Sequence, residues 1–257
     1  PGYYERLCHG KDASWVSEYV DGEYPRSDKG SIYGEWLDKL EARGGIAAFK
    51  HPSDGVFLNL DLGVSDATAL WWWRLNDAGV PDLIDYYEAT GKGASHFFEV
   101  IANRGWKTRK IFLPHDARAR TFQTGISTLE QWVNHFGPEV VEIGPELSVD
   151  DGIAAARWLL EQPVRFHTRC EQGLRMLRAY RYVWDEVHKI FAKKPSHDLT
   201  SHGADAFRYV ACVVKVTEAL MRKPEPPSTW LDAPPTNQLD ELWELNEQQR
   251  SVGTERI

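Results

Sequence analysis

Three aspartates stand where an aspartate is costly to place. Asp61 closes the apolar run 56–62 in VFLNLDLGVSDATALWWW, Asp116 follows the run IFLP in FLPHDARA, and Asp205 sits in SHGADAFRY at the head of an apolar-periodic segment. A carboxylate at the end of a buried strand is unfavourable unless it is paired, hydrogen-bonded or bound to a cation. Each acid also has a purely structural reading. Asp61 could cap a hairpin turn, Asp116 could cap a helix or pair with Arg118, and Asp205 could simply favour a helix N-terminus. Taken together they allow more. Three carboxylates brought to one place repel one another, and divalent cations remove that repulsion. Hard oxygen ligands suit Mg²⁺ or Mn²⁺. Two such ions about 3.5–4 Å apart can activate water and stabilise the leaving oxygen of a phosphodiester.

Whether the acids meet depends on the elements that carry them. Residues 56–62 and 67–74 are rich in β-branched and aromatic residues and flank a Gly-containing turn, which predicts two strands joined by a tight hairpin. The turn NDAGVPD leads to a third strand at 82–88. SHFFEVIANRG has helical spacing and stops at Gly105. TRKIFLP is a fourth strand closed by Pro114. STLEQWVNHFG reads as a helix capped by Ser127 or Thr128, VVEIG as a short fifth strand, and SVDDGIAAARWLLEQ as a helix with acids in its first turn. The order β-β-β-α-β-α-β-α predicts an α/β fold: a mixed sheet, three antiparallel strands and then parallel ones, with helices on both faces. With the first strand central and the fourth beside it, Asp61 and Asp116 lie at adjoining strand ends. The last helix, in DLTSHGADAFRYVACVVKVTEALM, can then set Asp205 above them. The triple Trp71–Trp73 reads as core and sheet face.

The segment 164–200 differs in charge. HTRCEQGLRMLRAYRY predicts a basic helix on which Arg175, Arg178 and Arg181, spaced by three, share a face. YVWDEVHKIFAKKP predicts an auxiliary β-hairpin carrying Lys189, Lys193 and Lys194. Together they form a candidate track for DNA phosphates, whose contacts give salt-dependent affinity and little sequence information. Asp198 and His202 precede Asp205 by about two turns and one turn. Either could orient water or a metal ligand. Alternatively Asp198 or Ser201 caps the helix and His202 is a surface residue. His115, beside Asp116, should point the other way if the strand period continues.

Composition sets the outer bounds. Of 257 residues, 42% are hydrophobic and 26% charged, ordinary for a globular protein. No apolar run approaches the roughly 20 residues of a membrane span, and the start PGYYERLCHGKD has no signal-peptide core, so no membrane partner is expected. Cys8, Cys170 and Cys212 fit neither a disulfide framework nor a CxxC zinc site, which points to a reducing compartment. Net charge is −8, against a nucleic-acid partner at first sight, but its distribution matters more. Residues 104–120 hold six Lys or Arg against Asp116 alone, and 157–194 hold nine against four acids. The acid is concentrated at the ends, notably in 225–257. The expected organisation is an arm or linker over 1–54, one domain over 55–222, and a Pro-rich then acidic tail over 223–257. The start at Pro1, without Met, suggests a fragment or a processed chain.

LDLGVSDATAL with Asp61, FLPHDAR with Asp116 and HDLTSHGADAFRY with Asp205 resemble the C-terminal nuclease of the large terminase subunit of tailed bacteriophages, an RNase H-like fold. The resemblance covers roughly residues 55–222. SWVSEYVDGEY also resembles the segment that leaves the ATPase domain in such proteins. The resemblance implies that the three acids bind two Mg²⁺ or Mn²⁺ ions and cut double-stranded viral DNA during genome packaging, in the host bacterial cytoplasm. It adds Asp66 as a further acid near the site. It implies as partners the ATPase motor domain of the full-length protein, the portal and the small terminase subunit. No GxxxxGK[ST] phosphate loop occurs in the chain, so the motor is expected to be absent and translocation is not assigned to these residues.

Two other functions remain open at this level. A sugar-kinase or actin-like ATPase also begins with three antiparallel strands, and DLGVSD would serve as its first phosphate turn, but no second Gly-rich turn follows. A non-catalytic docking module would use the arm and the acidic tail to bind a motor or portal partner.

Overall fold

The hairpin of β1 (Val56–Asp61) and β2 (Ala67–Leu75) forms the centre of a six-stranded sheet. The computed structural model describes residues 30–221 apart from 52, 54, 64–65, 77–78, 121–124, 186–187, 189 and 199. The arm SWVSEYVDGEY, the acidic tail and Lys189 lie outside the described residues. The chain divides into two units, 1–217 and 218–257, and the sheet and the candidate site belong to the first.

β3 (Pro81–Thr90) pairs antiparallel with β2, while β4 (Thr108–Leu113) and β5 (Val141–Ile143) add in parallel on the other side of β1. A two-residue strand β6 (Arg165–Phe166) closes the far edge beside β3, so the order is β5-β4-β1-β2-β3-β6. This is the mixed sheet expected from the element order. β6 was not anticipated, since two residues are too short to show a period of two. β7 (Tyr182–Asp185) and β8 (Ile190–Pro195) form the separate hairpin. Among the described residues no helix is long and apolar enough to cross a membrane.

Strand alternation sorts the central side chains between two cores. Leu58, Leu60, Leu70 and Trp72 face α2 (Ala94–Asn103) and α3 (Thr128–Phe136), where Phe97, Ile101 and Trp132 meet them. Ala69, Trp71 and Trp73 face the other way. They pack with residues of α1 (Gly34–Ala42), α4 (Val149–Glu161), α5 (Glu171–Ala179) and α6 (Ser201–Met221), among them Leu37, Leu159, Leu177 and Phe207. Asn59 belongs to this second face, because its Oδ1 accepts from Trp73 Nε1 at 2.8 Å. Asp61, two residues on, therefore points toward the same face. Ser127 caps α3 in a reciprocal box with Glu130, as S-x-x-E predicts.

Two glycines let α5 and α6 lie close on the sheet. A Cβ at Gly173 would stand 2.4 Å from the Trp71 ring, and one at Gly203 would stand 2.6 Å from the Tyr86 hydroxyl. The Trp71 indole N–H donates to the Gly203 carbonyl at 2.8 Å. That bond and that close approach fix where the first turn of α6 meets the central strands.

Candidate active site

Asp61 is the last residue of β1, with 17% of its side chain exposed. His202, in the first turn of α6, is buried, and its Nδ1 lies 3.1 Å from Asp61 Oδ2. His202 is thus not a surface residue; it holds one oxygen of Asp61. Asp205 follows one turn later, and its Oδ1 accepts from Arg208 Nε at 3.1 Å. Arg208 is itself buried, and its stem fills the space beside Gly152 of α4, where a Cβ would lie 2.6 Å from Arg208 Cδ. Asp205 therefore has a basic partner that its acidic motif did not advertise.

Asp116 lies in a short 3-10 turn, His115–Arg118, just beyond β4. Pro114 ends the strand, so the strand period no longer governs the next residues. Asp116 and His115 are both exposed, and His115 Nε2 stands 3.9 Å from Glu146. Asp66 is exposed at the entry to β2. Asp198 precedes α6. Its Oδ1 accepts from the Thr200 N–H at 2.9 Å and its carbonyl from the Ser201 N–H at 3.0 Å. It shapes the turn into the helix.

The charges of the three acids act on one phenol. Burial pushes the Tyr209 phenol up to about 12; Arg208 opposes this, and Asp61, Asp205 and Asp116 each push further upward. Tyr209 thus senses all three carboxylates at once. The hydrogen bond to Asp61 raises His202 against the opposing effect of burial, helped by the charges of Asp61, Asp66 and Asp205. Burial raises the Asp205 carboxyl, Arg208 pulls it down, and the charge of Asp61 pushes it up, with a net rise. Arg208 and Tyr209 were missed by sequence reasoning. The available signal was their spacing, three and four residues after Asp205 on one helix.

Oxygen donors of this kind fit a hard divalent cation. Among the described residues, Asp61 Oδ1 and Asp205 Oδ2 carry no hydrogen bond, which leaves one oxygen on each for a cation. The set is not closed, however. Among the described residues no three His, Cys, Asp or Glu side chains stand together closely enough to hold a metal ion. Asp61 is drawn to His202, Asp205 to Arg208, and Asp116 stands out in its turn.

The expected basic track is only partly assembled. Arg178 is buried, with 3% of its side chain exposed, and reaches Asp38 and Glu41 of α1 at 2.5 Å each. It braces α5 against α1 and is withdrawn from any phosphate. α5 ends at Ala179, so Arg181 leaves the helix and bridges Ser31 instead of sharing a face with Arg175. Arg175 is exposed and pairs with Glu171 at 2.5 Å. Lys193 and Lys194 lie on β8, Lys194 exposed. The amphipathic side of this short helix faces α1, and that contact is invisible in the spacing of its arginines.

No protein-family model matches the chain. The large terminase subunit of Escherichia phage T5 is 24% identical over 159 residues, covering 60% of this chain and 34% of that protein. The large terminase of a thermophilic bacteriophage, in complex with ATP-gamma-S, superposes with a TM-score of 0.55 at 17% identity, over 82% of this chain and 52% of that one. The P22 large terminase nuclease domain superposes with a TM-score of 0.50 at 20% identity, over 70% of this chain and 94% of that one. This chain has the fold of a phage large-terminase nuclease domain. The resemblance expected from the three motifs is borne out, and so is the RNase H-like mixed sheet with its auxiliary hairpin. The terminase-like chain spans about a third of the T5 protein and about half of the thermophilic-phage protein.

Proposed function

We propose that this chain is a metal-dependent endonuclease that cuts double-stranded viral DNA during genome packaging. The observation that supports it most is the meeting of a strand end and a helix start: His202 Nδ1 lies 3.1 Å from Asp61 Oδ2, Asp205 follows one turn later on the same helix, and Asp116 lies in the turn after the neighbouring strand. Asp61, Asp205 and Asp116 would hold the metal, Mg²⁺ or Mn²⁺, as two ions, with Asp66 nearby. Such ions supply charge neutralisation, an activated water and stabilisation of the leaving oxygen. The residues of the chain do the rest. His202 fixes one oxygen of Asp61, and the other has no hydrogen bond among the described residues. Arg208 orients Asp205 and tempers its charge. Tyr209, a neutral hydroxyl, can donate a hydrogen bond to a phosphate oxygen without adding negative charge. Arg175, Arg181, Lys189, Lys193 and Lys194 are the proposed backbone contacts, and Arg178 drops out of that group.

In this reading the chain, 55–222 with its arm and tail, works beside an ATPase motor domain in a longer protein, with the portal and small terminase subunit as partners. Asp61→Asn tests the chemistry. It should abolish nicking of supercoiled plasmid in Mg²⁺ or Mn²⁺ while the circular dichroism spectrum persists. Cutting retained by the purified variant would sink the proposal.

A further inference from the structure

The hairpin of β7 and β8 carries an apolar patch in the open. Val183, Trp184, Ile190 and Phe191 are all exposed, Ile190 by 60%, and among the described residues the other exposed large hydrophobics are Ile126 and Val149. Trp184 pairs with Phe191 across the hairpin, and their rings meet edge to face at 4.8 Å. The two rings therefore share one face. A two-stranded hairpin is marginal in water by itself, and apolar side chains gathered at one place mark a surface that something covers. The N-terminal arm enters the described fold at this hairpin. Ser31 bridges Arg181 antiparallel, the Tyr182 N–H donates to the Gly30 carbonyl at 2.9 Å, and the Ile32 N–H donates to the Tyr180 carbonyl at 3.0 Å. Gly30 has a φ of +104°, and a Cβ there would stand 2.5 Å from the Phe191 ring. The arm thus starts against one ring of the exposed pair.

We propose that residues 14–24 of the arm, SWVSEYVDGEY, dock on the Trp184–Phe191 face of this hairpin. Position, chemistry and charge each favour that occupant. Residues 25–29, PRSDK, lead into Gly30 with turn-forming types, and a connection of that length ordinarily suffices to reverse a chain. Trp184 lies two residues along β7 from Tyr182, about 7 Å by strand rise, so a returning segment reaches it directly. Trp15, Val16, Tyr19, Val20 and Tyr24 supply apolar side chains to cover the two rings. Residues 14–24 carry Glu18, Asp21 and Glu23 and no Lys or Arg, while 181–195 carry Arg181, Lys189, Lys193 and Lys194 against Asp185 and Glu186. Opposite charges around an apolar centre fix orientation as well as contact. The docking does not depend on the nuclease reading, yet it leads toward the acids. The Ser196 N–H donates to the Arg181 carbonyl at 2.9 Å and closes the base of the hairpin. His197 Nδ1 lies 3.0 Å from Ser201 Oγ, and its ring lies 5.8 Å from that of His202, which holds Asp61. A docked arm braces the segment that runs from the hairpin into the first turn of α6.

Hydrogen–deuterium exchange of the full chain, read by mass spectrometry, tests the docking without reference to cutting. Amides of 14–24 should exchange about tenfold or more slowly than in a free peptide of the same sequence. Trp184→Ser with Phe191→Ser should return 14–24 to the peptide rate. Trp15→Ser with Tyr19→Ser leaves the sequence of the hairpin intact and should speed exchange over 182–195. Exchange in β1 and β2 should stay as in wild type in both double variants. If the hairpin changes disturb those strands as well, the arm changes decide, and exchange over 182–195 unmoved by them overturns the docking. Residues 14–24 exchanging at the peptide rate in the wild-type chain overturn it too, as does protection that survives Trp184→Ser with Phe191→Ser. Protection of 182–195 that appears only as protein concentration rises gives the face to a second copy. Protection that appears only on adding a DNA duplex gives it to DNA, and either result overturns the proposal.

Discussion

Replacing Gly203 by Ala tests how α6 is set upon the sheet. In an exposed helix interior this change stabilises by about 1 kcal/mol, because Gly is a poor helix former. Here the new methyl would meet the Tyr86 hydroxyl at 2.6 Å and Met176 Cβ at 3.0 Å. Tyr86 cannot swing aside easily, since it is 4% exposed and its hydroxyl donates to Glu88 at 2.6 Å. Overpacking of this kind costs about 1–3 kcal/mol. Lifting the helix would also stretch the Trp71–Gly203 bond, worth about 0.5–1.5 kcal/mol. The crowding outweighs the propensity, and the expected result is a net loss of about 1–2 kcal/mol. For a chain of this size that is roughly 2–4 °C of Tm per kcal/mol. Urea unfolding followed by circular dichroism measures it. Tyr86→Phe removes the atom met first, so the penalty should shrink in that background, and a double-mutant cycle reads the coupling. His202 and Asp205 ride on the displaced turn, so the nuclease activity proposed above should fall further than stability does. Gly203→Ala as stable as wild type, or an equal penalty in both backgrounds, would refute the close approach as the element that positions the site.

The same structure sets three further outcomes. Arg178→Met should destabilise by about 2–4 kcal/mol through loss of two charge-assisted bonds, tempered because Asp38 and Glu41 are half-exposed and can rehydrate; Arg175→Ala should cost under about 1 kcal/mol, and equal urea midpoints for the two would contradict the bracing role. Ser127→Ala should cost about 1 kcal/mol by removing the cap of α3, read as a lower Tm, and an unchanged Tm would count against the capping box. His167 Nδ1 accepts the Arg169 N–H at 3.1 Å, and burial, then Arg169 and His51, hold its pKa below the usual 6.5. The folded state therefore binds fewer protons than the unfolded one, so its contribution is full above pH 6.5 and is lost as pH falls toward the lower folded value. His167→Gln should flatten the stability difference between pH 7.5 and 5.5, and an unaltered pH slope would remove His167 from that role.

Apart from β6, the sequence alone carried the strand order, because periods of two and 3.6 are written locally in residues such as 56–60 and 207–214. It also carried the placement of Asp61 and Asp116 at adjoining strand ends, since the β-β-β-α-β order leaves few topologies open. A cap at Ser127 or Thr128 was legible for the same reason, and the structure settles it on Ser127. Tertiary structure decided what each side chain meets. His202 reaches Asp61 across 141 residues, and nothing near either residue encodes that contact. Arg178 shares the spacing of Arg175 but turns inward, because α1 supplies two carboxylates that local pattern cannot reveal. Arg208 meets Asp205 within its own helix, but that helix came beside Asp61 only when α6 settled on Trp71, a fit that depends on the missing side chain of Gly203. Period records which face a residue occupies; its partner is set by whichever distant element packs against that face.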